Sequence, residues 1–495
     1  MHDTLLQLVI VYLVVSIAIG LFAATKVRNA RDYINAGRNL PLFVVFAMVF
    51  ATWFGAETVL GIPGSFLKDG ATELISDPFG AGVCLILFGL IFARPLYRMN
   101  LITLGDFFRK RYNRGTELAL SICIVVSYLG WVSAQITALG LVFDLLSGGA
   151  IGRDLGIIIG MAVVLVYTLF GGMWSVAVTT FVQMIAIILG LLYITWVAND
   201  MAGGFAPVMA HAIDAGKFDI NFSLSRETFA WIAAFLTMAL GSIPQQDVFQ
   251  RVNSSKSERT AVWGTTLGGG FYVLFAFVPI YLAYTTLVID PEMVATVSAA
   301  DEKMQRIMPT LVMNHMSFAA QVIFFGALLS VIMSTASGTL LAPSVTFSEN
   351  VLRGFYPKMD DKQFLWATRA TVLGFTLIVT LYALVTDSSI HKMVVNSYRI
   401  TLAAALVPLV AGLFWKRANN LGAALSVGLG LSFWLIGELL IHIEVLPDLL
   451  EPQIYGLFAS IVGMVTGVML GNSSTQKTNL GITQMPNEQQ AEQPA

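Results

Sequence analysis

Apolar residues along this chain gather into runs too long for the core of a water-soluble domain. The runs approach the roughly 20 residues that cross a bilayer as a helix. They begin near Thr4, Pro41, Pro78, Glu117, Asp154, Trp174, Phe229, Ala261, Phe318, Phe364, Ser389, Asn420 and Gln453, which predicts an all-α integral membrane protein with thirteen transmembrane helices. The first run, Thr4 to Ala24, has no Lys or Arg ahead of it and no small-residue cleavage site behind it, so it reads as a retained span and not a signal peptide. Two connections, roughly 199–228 and 288–317, are long and are expected to carry short helices acting as lids. The stretch from Asn472 onward is rich in Gln, Asn, Thr and Pro, cannot bury apolar surface, and is expected to be disordered.

Two runs carry interruptions. The second reads Ala51-Thr52-Trp53-Phe54-Gly55-Ala56-Glu57 and then Gly61-Ile62-Pro63-Gly64; the seventh reads Gly241-Ser242-Ile243-Pro244-Gln245-Gln246. Gly and Pro free backbone groups that lipid cannot satisfy, so such breaks line a cavity or bind an ion, although a plain kink produces the same residues. Broken spans five apart suggest inverted repeats made of spans two to six and seven to eleven, with a binding site where the breaks meet. The expected divisions are 1–40 for the first span and a cytoplasmic motif, 41–200 and 229–418 for the repeats, 419–471 for two final spans, and 472–495 for the tail.

Composition agrees with the pattern. Of 495 residues, 12 % are charged, half the share usual in soluble domains, and the mean hydropathy is +0.76. A formal net charge of −2 removes the main electrostatic reason to bind nucleic acid. Assigning the loops alternately puts nineteen Lys and Arg on one side and seven on the other, with Arg251 counted among the nineteen. By the positive-inside rule the richer side is cytoplasmic, which places the N-terminus outside and the C-terminus inside. Cys84 and Cys123 both fall in apolar runs and suggest neither a disulfide framework nor a Cys metal site, and the five histidines show no metal-ligand spacing.

Candidate chemistry is sparse and sits inside the spans. Val331, Ser334 and Thr335 project from one face of the ninth helix, and two hydroxyls with a carbonyl suit an alkali cation, though membrane Ser and Thr more often bond back to their own helix. Trp53 and Trp131 lie in mid-span, facing a cavity or simply packing as large rings. Gln245 adjoins the second break, where an amide must bond something. Glu57 and Arg399 are ionisable residues within spans. Glu57 orients backbone or substrate; Arg399 pairs a substrate carboxylate or snorkels.

Several motifs together resemble one family. Asp32-Tyr33 with Gly37-Arg38-Asn39-Leu40-Pro41, Tyr167 through Gly171-Gly172-Met173-Trp174-Ser175-Val176, Gln250-Arg251, Met333-Ser334-Thr335, and Pro408 to Phe414-Trp415-Lys416-Arg417 are similar to the sodium/solute symporters, in the same order and over nearly the whole chain. The resemblance implies the leucine-transporter fold, a 5+5 inverted repeat with one extra N-terminal and two extra C-terminal helices. It also implies a sodium ion, co-transported, held by the carbonyls of Ala51, Phe54 and Val331 and the hydroxyls of Ser334 and Thr335. Many members carry Asp where this chain has Thr180, which favours one sodium per cycle. The choline-transporter branch looks closest, yet Gln245 stands where that branch has Trp, and Ala81 where it has Tyr.

Taken together these features predict a sodium-coupled secondary symporter, and no enzyme, importing a small polar organic solute by alternating access. The expected solute site is Trp53, Glu57, Trp131 and Gln245, with Trp53 facing Gln245 across the breaks. Expected partners are the solute and the lipid bilayer of a plasma or bacterial inner membrane, with no nucleic acid, as a monomer or a homo-oligomer. The rival readings are a transporter-derived sensor, a sodium-conducting channel, and a polytopic membrane enzyme; a sensor calls for an output domain and an enzyme for clustered His, Asp or Glu, neither of which the sequence offers.

Overall fold

A computed structural model describes residues 2–220, 225–297, 301–443 and 450–471, so the tail expected at 472–495 lies outside the described residues. Every regular element among them is helical, the principal ones being α1 (His2–Ala24), α2 (Leu42–Trp53), α3 (Glu57–Arg98), α4 (Leu104–Arg111), α5 (Arg114–Leu146), α6 (Arg153–Met201), α7 (Phe205–Asp214), α8 (Arg226–Ala239), α9 (Gln246–Ser254), α10 (Glu258–Ile289), α11 (Pro291–Val297), α12 (Ile307–His315), α13 (Phe318–Phe355), α14 (Asp361–Val385), α15 (Ile390–Ala404), α16 (Leu406–Phe414), α17 (Asn420–His442) and α18 (Pro452–Leu470). Polar caps start many of them: Asn113, Ser225, Ser257, Ser317 and Asn419 each accept a backbone N–H three residues on, which satisfies one of the amides a helix start leaves unpaired.

Among the described residues nine helices are long and apolar enough to cross a membrane, or ten if α15 and α16, bent by 48°, form one span. The expected thirteen runs all fall on helical residues, but length alone does not separate them. α3 contains parts of two runs, interrupted at Gly70 (φ +77°) and at Asp77, which is extended. α6 contains two more, divided at Gly172, whose φ of +49° and ψ of −134° only glycine adopts readily. A Cβ there would also strike the Tyr33 carbonyl. α2 and α8 are short because the breaks cut them off.

The first break is narrower than the sequence suggests. Helical geometry stops at Phe54 (ψ 72°) and resumes at Ala56. Gly61 to Gly64 stays helical, because a π-turn over Glu57–Gly61 widens the helix just ahead of Pro63 and accommodates its missing N–H. The second break runs from Leu240 to Gln245 as expected. The two long connections carry α7, α11 and α12.

Polarity is distributed inside out. Large apolar side chains such as Phe22, Phe43, Leu274, Leu381 and Val385 are exposed around the bundle, whereas Thr52, Gln135, Gln245 and Asp247 are buried within it. In lipid, apolar burial does not drive helices together, so close packing and internal hydrogen bonds must. Glycines supply the close approach of α17 and α18: a Cβ on Gly467 would strike Gly422, and one on Gly463 would meet the Leu425 backbone.

Candidate functional site

Where α2 breaks, it leaves the Ala51 carbonyl facing α13. Ser334 Oγ donates to it at 2.8 Å and Thr335 Oγ1 at 3.3 Å, while both hydroxyls also lie near the Val331 carbonyl, at 2.8 and 3.2 Å. All four residues are fully buried. The spacing of 331, 334 and 335 gives one helical face, and the break gives that face a partner from another helix. Phe54 is the residue at which α2 leaves helical geometry, so its carbonyl also leaves the regular ladder. Four neutral oxygens converge, and a hydroxyl that rotates its hydrogen away presents lone pairs in its place. That donor set suits a monovalent hard cation.

A second cluster adjoins the break. Trp131 Nε1 donates to Glu57 Oε1 at 2.8 Å and Gln135 Nε2 to Glu57 Oε2 at 2.7 Å. The Gln135 amide is held the right way round because its Oε1 accepts the Ala56 N–H at 2.9 Å. Gly55 must lack a side chain, since a Cβ there would run into the Glu57 carboxylate. Trp53 Nε1 donates to Asp247 Oδ2 at 3.0 Å, and Tyr128 Oη donates to Asp247 Oδ1 at 2.7 Å while accepting the Asp247 N–H at 2.8 Å. The rings touch one another: Trp53 lies edge-on to Trp131 with centroids 5.5 Å apart, and Tyr398 packs at 6.1 Å from Trp53 and 5.6 Å from Trp131.

At the second break Gln245 donates to Ser127 at 3.0 Å and lies 3.4 Å from the Thr401 hydroxyl. One helical turn past Asp247, Arg251 reaches back along α9. Its guanidinium bonds the Asp247 carbonyl at 2.5 Å and the Thr52 hydroxyl at 2.7 Å, and lies 3.8 Å from the Asp247 carboxylate. The loop count placed Arg251 at the cytoplasmic surface; it is instead fully buried, tying α9 to the broken α2.

The structure therefore brings Ala51, Val331, Ser334 and Thr335 together, and groups Trp53, Glu57, Trp131 and Gln245 around both breaks. It corrects one pairing: Trp53 bonds Asp247, two residues beyond Gln245, because the turn through Pro244 carries the Gln245 amide toward α5 and α15. Arg399 meets neither expectation, for it pairs with Glu438 and Glu451 at 3.0 Å each and anchors α15 to α17 and the start of α18. Thr180 is buried with its hydroxyl unpaired, and so is the whole amide of Gln183 one turn on. Sequence reasoning missed Asp247, Tyr128, Gln135, Ser127, Tyr398 and Thr401. Asp247 was the findable one, an ionisable residue at membrane depth beside a break.

A profile of the sodium:solute symporter family matches residues 33–430. The human high affinity choline transporter 1 is 27 % identical over 465 residues, covering 88 % of this chain and 77 % of that one. The osmoregulated proline transporter OpuE of Bacillus subtilis is 26 % identical over 484 residues, covering 91 % and 93 %. Among solved structures, a substrate-bound, outward-open sodium-coupled sialic acid symporter superposes with a TM-score of 0.78 at 18 % identity, covering 94 % of this chain and 97 % of its own. A closed nucleobase–cation symport-1 family transporter gives 0.61 at 12 %, covering 90 % and 96 %. At those identities the likeness concerns the fold.

Proposed function

The chain belongs to the sodium:solute symporter family, and from that premise we propose that this multi-pass membrane protein couples sodium influx to uptake of a small polar organic solute. The observation that carries the reading is the meeting of Ser334, Thr335 and the Val331 carbonyl on α13 with the Ala51 carbonyl at the break of α2. Sodium binds there, with the Phe54 carbonyl completing its shell, and the solute binds beside Trp53, Glu57, Trp131 and Gln245. The ion then bridges α2 and α13. Because it favours the conformation in which those two helices approach, it favours solute binding by linkage.

The full architecture of this reading has thirteen crossings in a 5+5 inverted repeat, residues 41–200 and 229–418, with the N-terminus outside and the C-terminus in the cytoplasm. One sodium crosses per solute, and the chain catalyses no covalent step. The energetics suffice: one charge crossing roughly 150 mV gains about 3.5 kcal/mol, and a tenfold sodium gradient adds about 1.4 kcal/mol. Together these support accumulation of an uncharged solute on the order of several thousandfold.

The test is a thermal-stability screen of the purified protein against amino acids, amines, sugars, carboxylates and vitamins, run in sodium and again in potassium. A ligand at about 100 times its dissociation constant adds about 2.7 kcal/mol. Stabilisation that appears only in sodium supports the reading; equal stabilisation in potassium contradicts it.

A further inference from the structure

α1 exposes apolar side chains along most of its length, among them Leu8, Val11, Val14 and Phe22, and packs inward through Leu5, Val9 and Leu13. Packing alone would account for such a helix. Yet Tyr12, Ser16 and Gly20, spaced four apart, add two hydroxyls and a glycine along one face. Tyr12 reaches across to α13 and bonds Ser330, which is fully buried. The direction of that bond is fixed: the Ser330 hydroxyl gives its own hydrogen to the Gly326 carbonyl at 2.8 Å, so Tyr12 is the donor.

Gly20 serves a second contact of the same kind. A Cβ there would stand 2.6 Å from the Tyr167 Cβ, so only glycine lets α1 lie this close. Tyr167, fully buried on α6, donates to the Met333 carbonyl at 3.2 Å, and Ser175 of the same helix donates to the Gly20 carbonyl. α13 is therefore held at Ser330 and at Met333, on either side of Val331.

The contact of α13 with α2 is one that a cation takes over. Ser334 and Thr335 aim their hydrogens at the Ala51 and Val331 carbonyls. To coordinate a cation they turn those hydrogens away, and the direct bonds from α13 to α2 are given up. The rotation of α13 about its axis must then be set from its other contacts. A turn of about 10° carries an oxygen roughly 5 Å from the axis by about 0.9 Å, several times the roughly 0.2 Å that coordination distances tolerate. Ser330 lies one turn ahead of Ser334 on the same stripe, so a bond that fixes the first restrains the second.

We propose that α1 tunes sodium affinity: Tyr12, acting through Ser330, is a positioning residue that fixes the rotation of α13 and with it the Val331 carbonyl and the Ser334 and Thr335 hydroxyls. Tyr167, seated against Gly20, acts in the same way through Met333. The proposal rests on the sodium site of the symporter reading and adds to it a helix outside both proposed repeats.

The experiment uses the purified full-length protein with sodium chloride as the probe and potassium chloride holding ionic strength. Melting temperature is followed against sodium concentration, and the linkage relation separates a change in sodium affinity from a change in stability alone. Tyr12→Phe, which removes only a hydroxyl, is expected to raise the half-saturating sodium concentration at least roughly threefold, the worth of one hydrogen bond in a membrane bundle. Ser330→Ala and Tyr167→Phe are expected to do the same. Because Tyr12→Phe and Ser330→Ala break one link, their combination should exceed the larger single effect by less than about twofold. Leu13→Ala removes packing from the same helix without touching α13's hydrogen bonds; it should lower the melting temperature in potassium and leave the half-saturating sodium concentration within about twofold. An unchanged sodium titration in Tyr12→Phe, multiplicative effects in the combined variant, or an equal rise in Leu13→Ala overturns the positioning role and leaves the symporter reading standing. Absence of any sodium effect on the unmodified protein removes the sodium site itself and brings down both.

Discussion

Ser334 and Thr335 each lie within hydrogen-bond distance of two carbonyls, one on their own helix and one across the gap on Ala51. Their replacement by Ala removes two of the converging oxygens and should raise the sodium concentration for half-maximal stabilisation at least roughly tenfold, a loss of about 1.4 kcal/mol or more. An unchanged sodium titration in the folded double variant would exclude the site. Gly338, one turn along α13, answers to packing: a Cβ there would strike the Arg251 guanidinium. That group is pinned by Asp247, Thr52 and Met48 and cannot swing aside. Gly338→Ala should therefore destabilise by about 1 to 3 kcal/mol, as overpacking does, read as a lower melting temperature in sodium and potassium alike. Gln245→Ala is expected to weaken solute binding while the sodium titration stays in place; equal damage to both would mark Gln245 as structural. At this scale the sequence was partly legible. The 331, 334, 335 face follows from helical spacing alone, but the pairing of Trp53 with Asp247 depends on how the turn at Pro244 aims two successive side chains, which no spacing rule encodes.

At the scale of elements, Gly and Pro marked both breaks correctly in position and one of them too generously. Pro63 was legible as a breaker, yet a π-turn absorbs it; Pro244, without such a turn ahead of it, sits in the interruption itself. Against the thirteen expected runs the described residues give nine long apolar helices, or ten with the bent pair, and Gly172 and the turns at Gly70 and Asp77 join neighbouring runs so closely that helix length does not separate them. The bend of 48° between α15 and α16 left no signal stronger than the small residues around Ala405. α6 bears on the proposed stoichiometry. Thr180 offers a dipole where the family resemblance implies a carboxylate, and a second buried ion needs charge to offset its desolvation. One sodium per solute is the expectation. With the membrane voltage clamped at zero, the logarithm of the solute gradient that halts net flux should rise with that of the sodium gradient at a slope of one. A slope of two would mean that other oxygens near Thr180 and Gln183 complete a second site.

The whole molecule is a bundle with apolar side chains outward and with Glu57, Asp247 and Arg251 buried at its two helix breaks, an arrangement that suits the proposed coupling. Nothing in a continuous helix can exchange bonds between ion, solute and backbone at mid-membrane; a broken one can, because its freed carbonyls accept other partners without cost to a regular ladder. In the proposed cycle, coupling runs between α2, α9 and α13, with Arg251 and the Glu57 network holding the broken ends. The most direct test is uptake of a solute found in the stability screens into proteoliposomes under an imposed inward sodium gradient. The account predicts transient accumulation above the external concentration, abolished when the sodium gradient is collapsed and lost with Ser334→Ala/Thr335→Ala. Solute that only equilibrates across the membrane, or sodium flux that proceeds at the same rate without solute, would contradict it.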